Sequence, residues 1–384
     1  MNHAGVYIHI PFCRSRCSYC DFATGMYEGE LADRYVGAVI REIGRWCEVE
    51  APVAVDTIYF GGGTPSLLRP AQIEGILKAV HDRFSVFSDT EITIELNPGD
   101  GGTSAASKRD TTWGFRRLGI NRASFGAQTF DDRELKQLGR THNSADIHST
   151  FHQLREAGFE NINFDLIAGL PNQSLDGWKQ NLEEALKLRP EHLSLYLLDV
   201  HEGTPLADQI SRGRTPKPDD DLAAEMYRLL IDEVNAAGYQ HYEISNFCLP
   251  GFESRHNTKY WTGAPYYSFG CSAHSYDGAR RRWANERDAA RYVGLIEDHE
   301  SPVTQRTNLS EDDVRSESIF LSLRLMRGFD LENYRVRFGK DLRDEYDGEL
   351  TRLCDAGLIE IDQRSLRLTK RGALLSNEVM ATFV

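Results

Sequence analysis

Three cysteines in the run Cys13-Arg14-Ser15-Arg16-Cys17-Ser18-Tyr19-Cys20 constrain this chain more than any other feature. Three thiolates at C-x3-C-x2-C spacing can hold three irons of a cubane [4Fe–4S] cluster and leave the fourth iron without a protein ligand. An iron with open coordination sites is a reaction centre, whereas a fully ligated cluster only passes electrons. Structural zinc asks for four ligands, usually as two pairs. No fourth Cys or His follows closely downstream, and His9 upstream lies in an apolar, strand-like run. A disulfide framework is disfavoured by the odd count of seven cysteines and by the scatter of Cys47, Cys248, Cys271 and Cys354. Cys13, Cys17 and Cys20 are therefore read as the metal ligands of a cluster.

The 384 residues suffice for a large core and two domains. No apolar run approaches the about 20 residues that a membrane span requires. The cysteine motif begins so early that no room is left for a leader peptide, which predicts a reducing, cytoplasmic location. A formal net charge of −14 speaks against nonspecific nucleic-acid binding, which needs a basic footprint. Arg280-Arg281-Arg282 reads as a solvated turn.

Short apolar runs alternate with helical patterns. Strands are expected at Val6–Ile10, Thr57–Phe60, Glu91–Leu96, Arg122–Phe125, Ile162–Ile167 and Leu193–Leu198, and helices at Leu31–Trp46, Ala71–Phe84, Ala145–Ala157 and Leu175–Leu188. This alternation implies a parallel sheet with crossover helices. About six βα units fit a partial, TIM-like α/β barrel better than a full one of eight. The polar, glycine-rich stretch Gly99–Thr112 reads as a loop or as the weak start of a helix continuing to Leu118. Gly203–Asp221 reads as a surface connection, followed by a helix over Leu222–Ala237. Helices at Asp312–Met326 and Glu349–Ala356, then a hairpin of Leu358–Ile361 with Ser365–Leu368, look like a winged-helix-like α+β module. A structural or docking role suits this acidic chain better than DNA. The expected division is a barrel over 1–245, a connecting region over 246–300 and the C-terminal module over 301–384.

Gly61-Gly62-Gly63-Thr64-Pro65 follows the second expected strand, where glycines let backbone approach a ligand closely. Barrel active sites gather at the C-terminal ends of strands. Glu95, Gln128 and Asp165 fall at such ends, and Arg140 lies nearby in Leu138-Gly139-Arg140-Thr141-His142. Carboxylates and amides suit ribose hydroxyls, and a guanidinium suits a carboxylate.

The cysteine spacing resembles that of the radical S-adenosylmethionine superfamily. In that superfamily the open iron chelates the methionine moiety, and one electron from the cluster cleaves the sulfonium to a 5′-deoxyadenosyl radical. Together, Val6-Tyr7-Ile8-His9-Ile10-Pro11-Phe12-Cys13, Gly61–Pro65, Glu95–Pro98, Gly126-Ala127-Gln128, Arg140-Thr141-His142 and Asp165–Pro171 resemble the oxygen-independent coproporphyrinogen III dehydrogenase group over nearly the whole chain. The resemblance implies S-adenosylmethionine contacts at Tyr7, Tyr19, Gly62, Gly63, Thr64, Glu95, Gln128, Arg140 and Asp165.

Three features separate the branches of that group. Dehydrogenases carry a further cysteine two positions after the third ligand, where this chain has Phe22, and an N-terminal extension longer than Met1–Phe12. His256-Asn257-Thr258-Lys259-Tyr260-Trp261 resembles the H-N-x-x-Y-W signature of the HemW heme chaperones. A histidine there offers an axial nitrogen to heme iron, and Tyr260 and Trp261 offer stacking or edge contacts. His274 is a second candidate ligand, in a loop where Cys271 and Ser272 replace the family's proline and glycine. The resemblance thus implies heme as cargo, with apo-heme acceptor proteins, soluble or membrane-associated, as partners, and is compatible with a homodimer. A radical oxidative decarboxylase is the alternative, and a redox-sensing winged-helix regulator a third class.

Overall fold

The computed structural model describes residues 3–47, 52–99 and 105–384. Six strands form the parallel heart of a sheet: β1 (Ala4–Ile10), β2 (Ala54–Gly62), β3 (Ser85–Leu96), β4 (Arg122–Gln128), β5 (Asn161–Ala168) and β6 (His192–Leu197). Their Val, Ile, Leu and Phe side chains recur at every second position and are buried on one face of the sheet, while the alternate positions bring buried polar residues such as Thr57, Thr93, Arg122, Asn163 and His192 to the other. The helices are α1 (Gly29–Arg45), α2 (Pro70–Arg83), α3 (Ala105–Arg117), α4 (Ser144–Glu156), α5 (Leu175–Leu188) and α6 (Asp220–Ala236). Local chemistry sets their starts: Asn143 and Asp146 cap α4 reciprocally, Ser174 caps α5 and Asp219 caps α6. This is the partial α/β barrel that the alternation predicts.

The sheet continues beyond the barrel at both edges. Past β6 it adds β8 (Asn246–Cys248) and then β7 (Gln240–Glu243), both antiparallel. Past β1 it adds β9 (Tyr266–Phe269), parallel to β1, then antiparallel β10 (His274–Tyr276), β11 (Arg281–Asn285) and β12 (Val303–Asn308), making 12 strands in all. The region 246–300 therefore supplies strands to the main sheet. Helix α7 (Arg255–Thr262), capped by Ser254 and ended by Gly263 at φ 63°, connects the two edges.

Two further stretches are helical. Helix α3 takes up much of the Gly99–Thr112 stretch, of which 100–104 lie outside the described residues. The polar connection after β6 contains a helix, Pro205–Ser211, begun by a Thr204 cap and Pro205 at its first position. Glycine and charge counts mask so short a helix. The C-terminal module packs its own core of Ile319, Leu323, Phe329, Leu331, Leu366 and Val379 around a three-stranded sheet, in which Phe329–Asp330 joins the expected hairpin. Among the described residues no helix is long and apolar enough to cross a membrane.

Candidate functional site

A cavity of about 410 Å³ opens at the C-terminal ends of the barrel strands. Cys13, Cys17, Cys20, Tyr19, Gly62, Gly63, Thr64, Glu95, Gln128, Arg140 and Asp165 all line it, which brings together every residue expected to hold cluster or cofactor except Tyr7. Tyr7 instead stacks on Tyr59, with ring centres 6.0 Å apart, and hydrogen-bonds His9 at 3.1 Å.

The cysteine loop is fixed by backbone. The Ser18 N–H donates to the Leu138 carbonyl at 2.9 Å, and the Ser18 carbonyl accepts from the Leu206 N–H at 2.8 Å. The glycine segment is stitched to the strand that leads into Cys13: the Gly63 N–H donates to Ile10 O and the Thr64 N–H to Phe12 O, each at 2.8 Å. A Cβ on Gly63 would lie 2.7 Å from Phe12 O, so no larger residue fits without moving backbone. Gly62 has φ 111°, a left-handed conformation that favours glycine.

Around the thiols the polar groups form one network. The Thr64 hydroxyl donates to Cys13 Sγ at 3.6 Å, and Arg140 Nη1 donates to Cys17 Sγ at 3.3 Å. Arg140 Nη2 also donates to Asn97 Oδ1 at 2.6 Å and to the Gly126 carbonyl at 2.8 Å, while Asn97 Nδ2 donates to Thr64 at 2.7 Å. Burial pushes the Cys13 and Cys20 thiols up, and an approaching iron or cation opposes that shift. Among the described residues no three His, Cys, Asp or Glu side chains converge on one metal ion. A mononuclear zinc site asks for such convergence. A cubane spreads its thiolates over three separate irons, so three unpaired cysteines ringing one end of a cavity fit a cluster.

Glu95 is held by Tyr59, whose hydroxyl donates to Oε1 at 2.7 Å, and by the Gly62 N–H, which donates to Oε2 at 3.0 Å. Burial pushes its carboxyl up to about 7, the Asp165 charge adds to the rise, and the Tyr59 and Gly62 hydrogen bonds and the Arg122 charge oppose it. The unfolded value is near 4.5, so the folded chain binds the extra proton between about 4.5 and about 7. Stability therefore falls as pH rises through that window, by about 3 kcal/mol once complete. Glu95→Gln keeps both contacts, since an amide oxygen accepts from Gly62 and an amide N–H donates to Tyr59. Denaturation of cluster-free protein between about pH 5 and about pH 8 is expected to show a shallower loss of stability in the variant by that amount. An unchanged slope would place the titration elsewhere.

Several site residues escaped the sequence reading. Tyr59 and Asn97 orient Glu95, Arg140 and Thr64, yet each reads as an ordinary strand or loop residue. Arg122 is 1% exposed, lines the cavity, and has no hydrogen-bond partner for Nε or Nη1 among the described residues. A lone arginine opening an otherwise buried strand is the signal that could have found it.

The H-N-x-x-Y-W segment lies on α7 and does not present its histidine to either large cavity. His256 is 1% exposed; Nδ1 pairs with the Thr57 hydroxyl at 2.9 Å and Nε2 with the Tyr260 hydroxyl at 3.0 Å. Its ring also packs against Tyr59 at 5.1 Å. The expected open axial nitrogen is thus absent from this geometry, because both ring nitrogens are engaged in a buried pocket; burial also pushes the imidazole pKa down to about 3, which keeps the ring neutral. Asn257 alone of the hexapeptide reaches the first cavity, whereas Tyr260 and Trp261 line a second. His274 is exposed on β10 and lines neither cavity. Beside it the Cys271–Ser272 turn is accommodated with Ser272 at φ 55° and the Cys271 N–H donating to Tyr35 at 2.8 Å.

The radical SAM superfamily model matches residues 7–185, and the HemN C-terminal domain model matches 309–375. The chain is 35% identical over 379 residues to the heme chaperone HemW of Bacillus subtilis (strain 168), covering 98% of each chain. It is 34% identical to heme chaperone HemW of Mycobacterium tuberculosis (strain ATCC 25618 / H37Rv), covering 99% of this chain and 94% of that one. The fold is similar to that of coproporphyrinogen III oxidase (HemN) from Escherichia coli, with a TM-score of 0.85 and 24% identity over 100% of this chain and 90% of the other. With that identity sustained over almost its full length, the chain belongs to the HemW heme chaperone family within the radical SAM superfamily.

Proposed function

We propose that the protein binds heme and hands it to apo-heme proteins, soluble or membrane-associated, with a [4Fe–4S] cluster on Cys13, Cys17 and Cys20 and S-adenosylmethionine in the barrel cavity governing transfer. The observation that carries this reading is Phe22. It lines the mouth of the first cavity and is 64% exposed, where the dehydrogenase branch carries a cysteine. A phenyl ring there offers no thiol chemistry. The near full-length identity to chaperones supports the same branch.

When bound, the cluster and S-adenosylmethionine supply reductive sulfonium cleavage. The chain's own residues do the rest. Arg140 and Thr64 donate to thiol sulfurs and so favour their ionised, ligating form. Gly62 and Gly63 let backbone approach a ligand, and Glu95, Asp165 and Gln128 offer acceptors to hydroxyls. A radical oxidative decarboxylase would use the same cavity, so the test must separate the two. Anaerobically reconstituted protein is expected to bind heme saturably and stoichiometrically by absorbance titration, and to leave coproporphyrinogen III unconsumed. Cluster-replete protein that ignores heme and converts coproporphyrinogen III would overturn the reading.

A further inference from the structure

The second cavity, about 630 Å³, is the larger of the two and lies between the β9–β11 extension and the C-terminal module. Its volume falls within the about 300–1,000 Å³ usual for small-molecule sites. Tyr260, Trp261, Tyr266, Tyr276, Tyr334 and Phe338 line it. Tyr260 meets Tyr266 edge-on at 4.7 Å, and the Arg324 guanidinium lies over the Trp261 ring at 4.2 Å. The Trp261 indole N–H has no acceptor among the described residues. Rigid aromatic walls of this kind suit a flat, conjugated ligand.

Charge at the same cavity is biased against the rest of the chain. Arg327, Arg337 and Arg364 are exposed and line it. Among the described residues the side chains of Arg327 and Arg364 have no hydrogen-bond or ion-pair partner, and Arg337 has the Phe338 ring at 5.1 Å. Two carboxylates line the cavity against four arginines: Glu317 pairs with Arg282 at 2.7 Å, and Asp330 caps a helix by accepting from the Asn333 N–H at 2.7 Å and keeps its charge. Three guanidiniums without a paired carboxylate, in a chain of net charge −14, select an anionic ligand. A planar tetrapyrrole with peripheral carboxylates matches both features, since guanidinium pairs bidentately with carboxylate. Among the described residues no His, Cys or Met lines the cavity. Recognition there falls on the ring and the carboxylates, with no soft or imidazole ligand for a central metal.

We propose that this cavity is the tetrapyrrole site: a porphyrin dicarboxylate lies against Tyr260, Trp261 and Tyr266, with its carboxylates on Arg327, Arg337 and Arg364. The proposal rests on the heme reading above and adds the place and the mode of recognition, which does not depend on the iron. The test titrates the cluster-replete full chain with heme and with a metal-free porphyrin dicarboxylate. Arg327→Glu, Arg337→Glu and Arg364→Glu combined is expected to weaken both ligands by about 30-fold or more. A control with the same charge change, Arg212→Glu, Lys217→Glu and Arg228→Glu, is expected to bind both as wild type does, since these side chains are exposed and line neither cavity. Metal-free porphyrin is expected to bind wild type within about tenfold of heme. Triple-variant binding within about threefold of wild type would overturn the site while leaving the heme reading intact. So would an equal loss in the control, or wild type that binds heme and ignores the metal-free ligand. Wild type that binds neither ligand sinks the heme reading and the site together.

Discussion

Changing Cys13, Cys17 and Cys20 together to alanine abolishes cluster assembly while leaving the fold in place. The thiols are half-buried and unpaired, so their loss empties little of the core. The loop around them is pinned by main-chain bonds from Ser18 to Leu138 and Leu206, which alanine keeps. The local cost is the loss of two weak sulfur acceptors for Arg140 and Thr64, of order 1 kcal/mol each. Far-ultraviolet circular dichroism is therefore expected to match wild type, while iron and acid-labile sulfide fall to background after anaerobic reconstitution. Binding of S-adenosylmethionine is expected to fall with them, because the open iron is the methionine chelator in this superfamily. Heme affinity is expected to stay within about threefold of wild type, as sites with no shared partner contribute independently. Stoichiometric iron in the triple variant would refute the ligand assignment. A large loss of heme binding in a folded variant would mean that the two cavities are coupled.

The cluster end of the site was legible because its chemistry is local. Three thiols at fixed spacing and a glycine run after a strand announce themselves within single stretches of sequence, and strand ends converge by the geometry of a parallel barrel. Glu95, Gln128 and Asp165 could be gathered from separate strands for that reason, and Arg140 from the connection between β4 and α4. Tyr59, Asn97 and Arg122 could not, since each matters through a partner distant in sequence, such as Asn97 bridging Arg140 and Thr64. The sheet extensions were missed for a related reason. β9 to β12 are short and rich in polar residues; β9 joins the barrel sheet through its parallel pairing with β1, and β10 to β12 follow one on the next in antiparallel pairs. The H-N-x-x-Y-W segment shows the sharper limit. On α7 the spacing i, i+4 puts His256 beside Tyr260 on one helix face, but whether that face meets a ligand or the underside of a sheet depends on packing. It meets Thr57 and Tyr59 of β2.

That placement makes His256→Ala a stability variant more than a binding variant. Removing the imidazole leaves a hole beneath Tyr59 and strips partners from the Thr57 and Tyr260 hydroxyls, of which Thr57 is fully buried. Cavity and unsatisfied-donor terms together cost about 4 kcal/mol. For a chain of 384 residues that lowers Tm by about 5 °C. His256→Gln, which can still donate and accept but brings no imidazole, is expected to recover part of the loss. The spectroscopic expectation separates the two roles. If His256 only positions Tyr260, the Soret maximum and the spin state of bound heme are the same in wild type, His256→Ala and His256→Gln, and affinity falls less than about tenfold. Tyr260 then loses its anchor but keeps its edge-on contact with Tyr266. If His256 swings out to ligate iron, both variants lose a histidine-type spectrum together, and glutamine rescues stability without rescuing the spectrum. That second pattern would reverse the structural assignment, because a buried imidazole with both nitrogens engaged can ligate iron only by first giving up its bond to Thr57 or its bond to Tyr260.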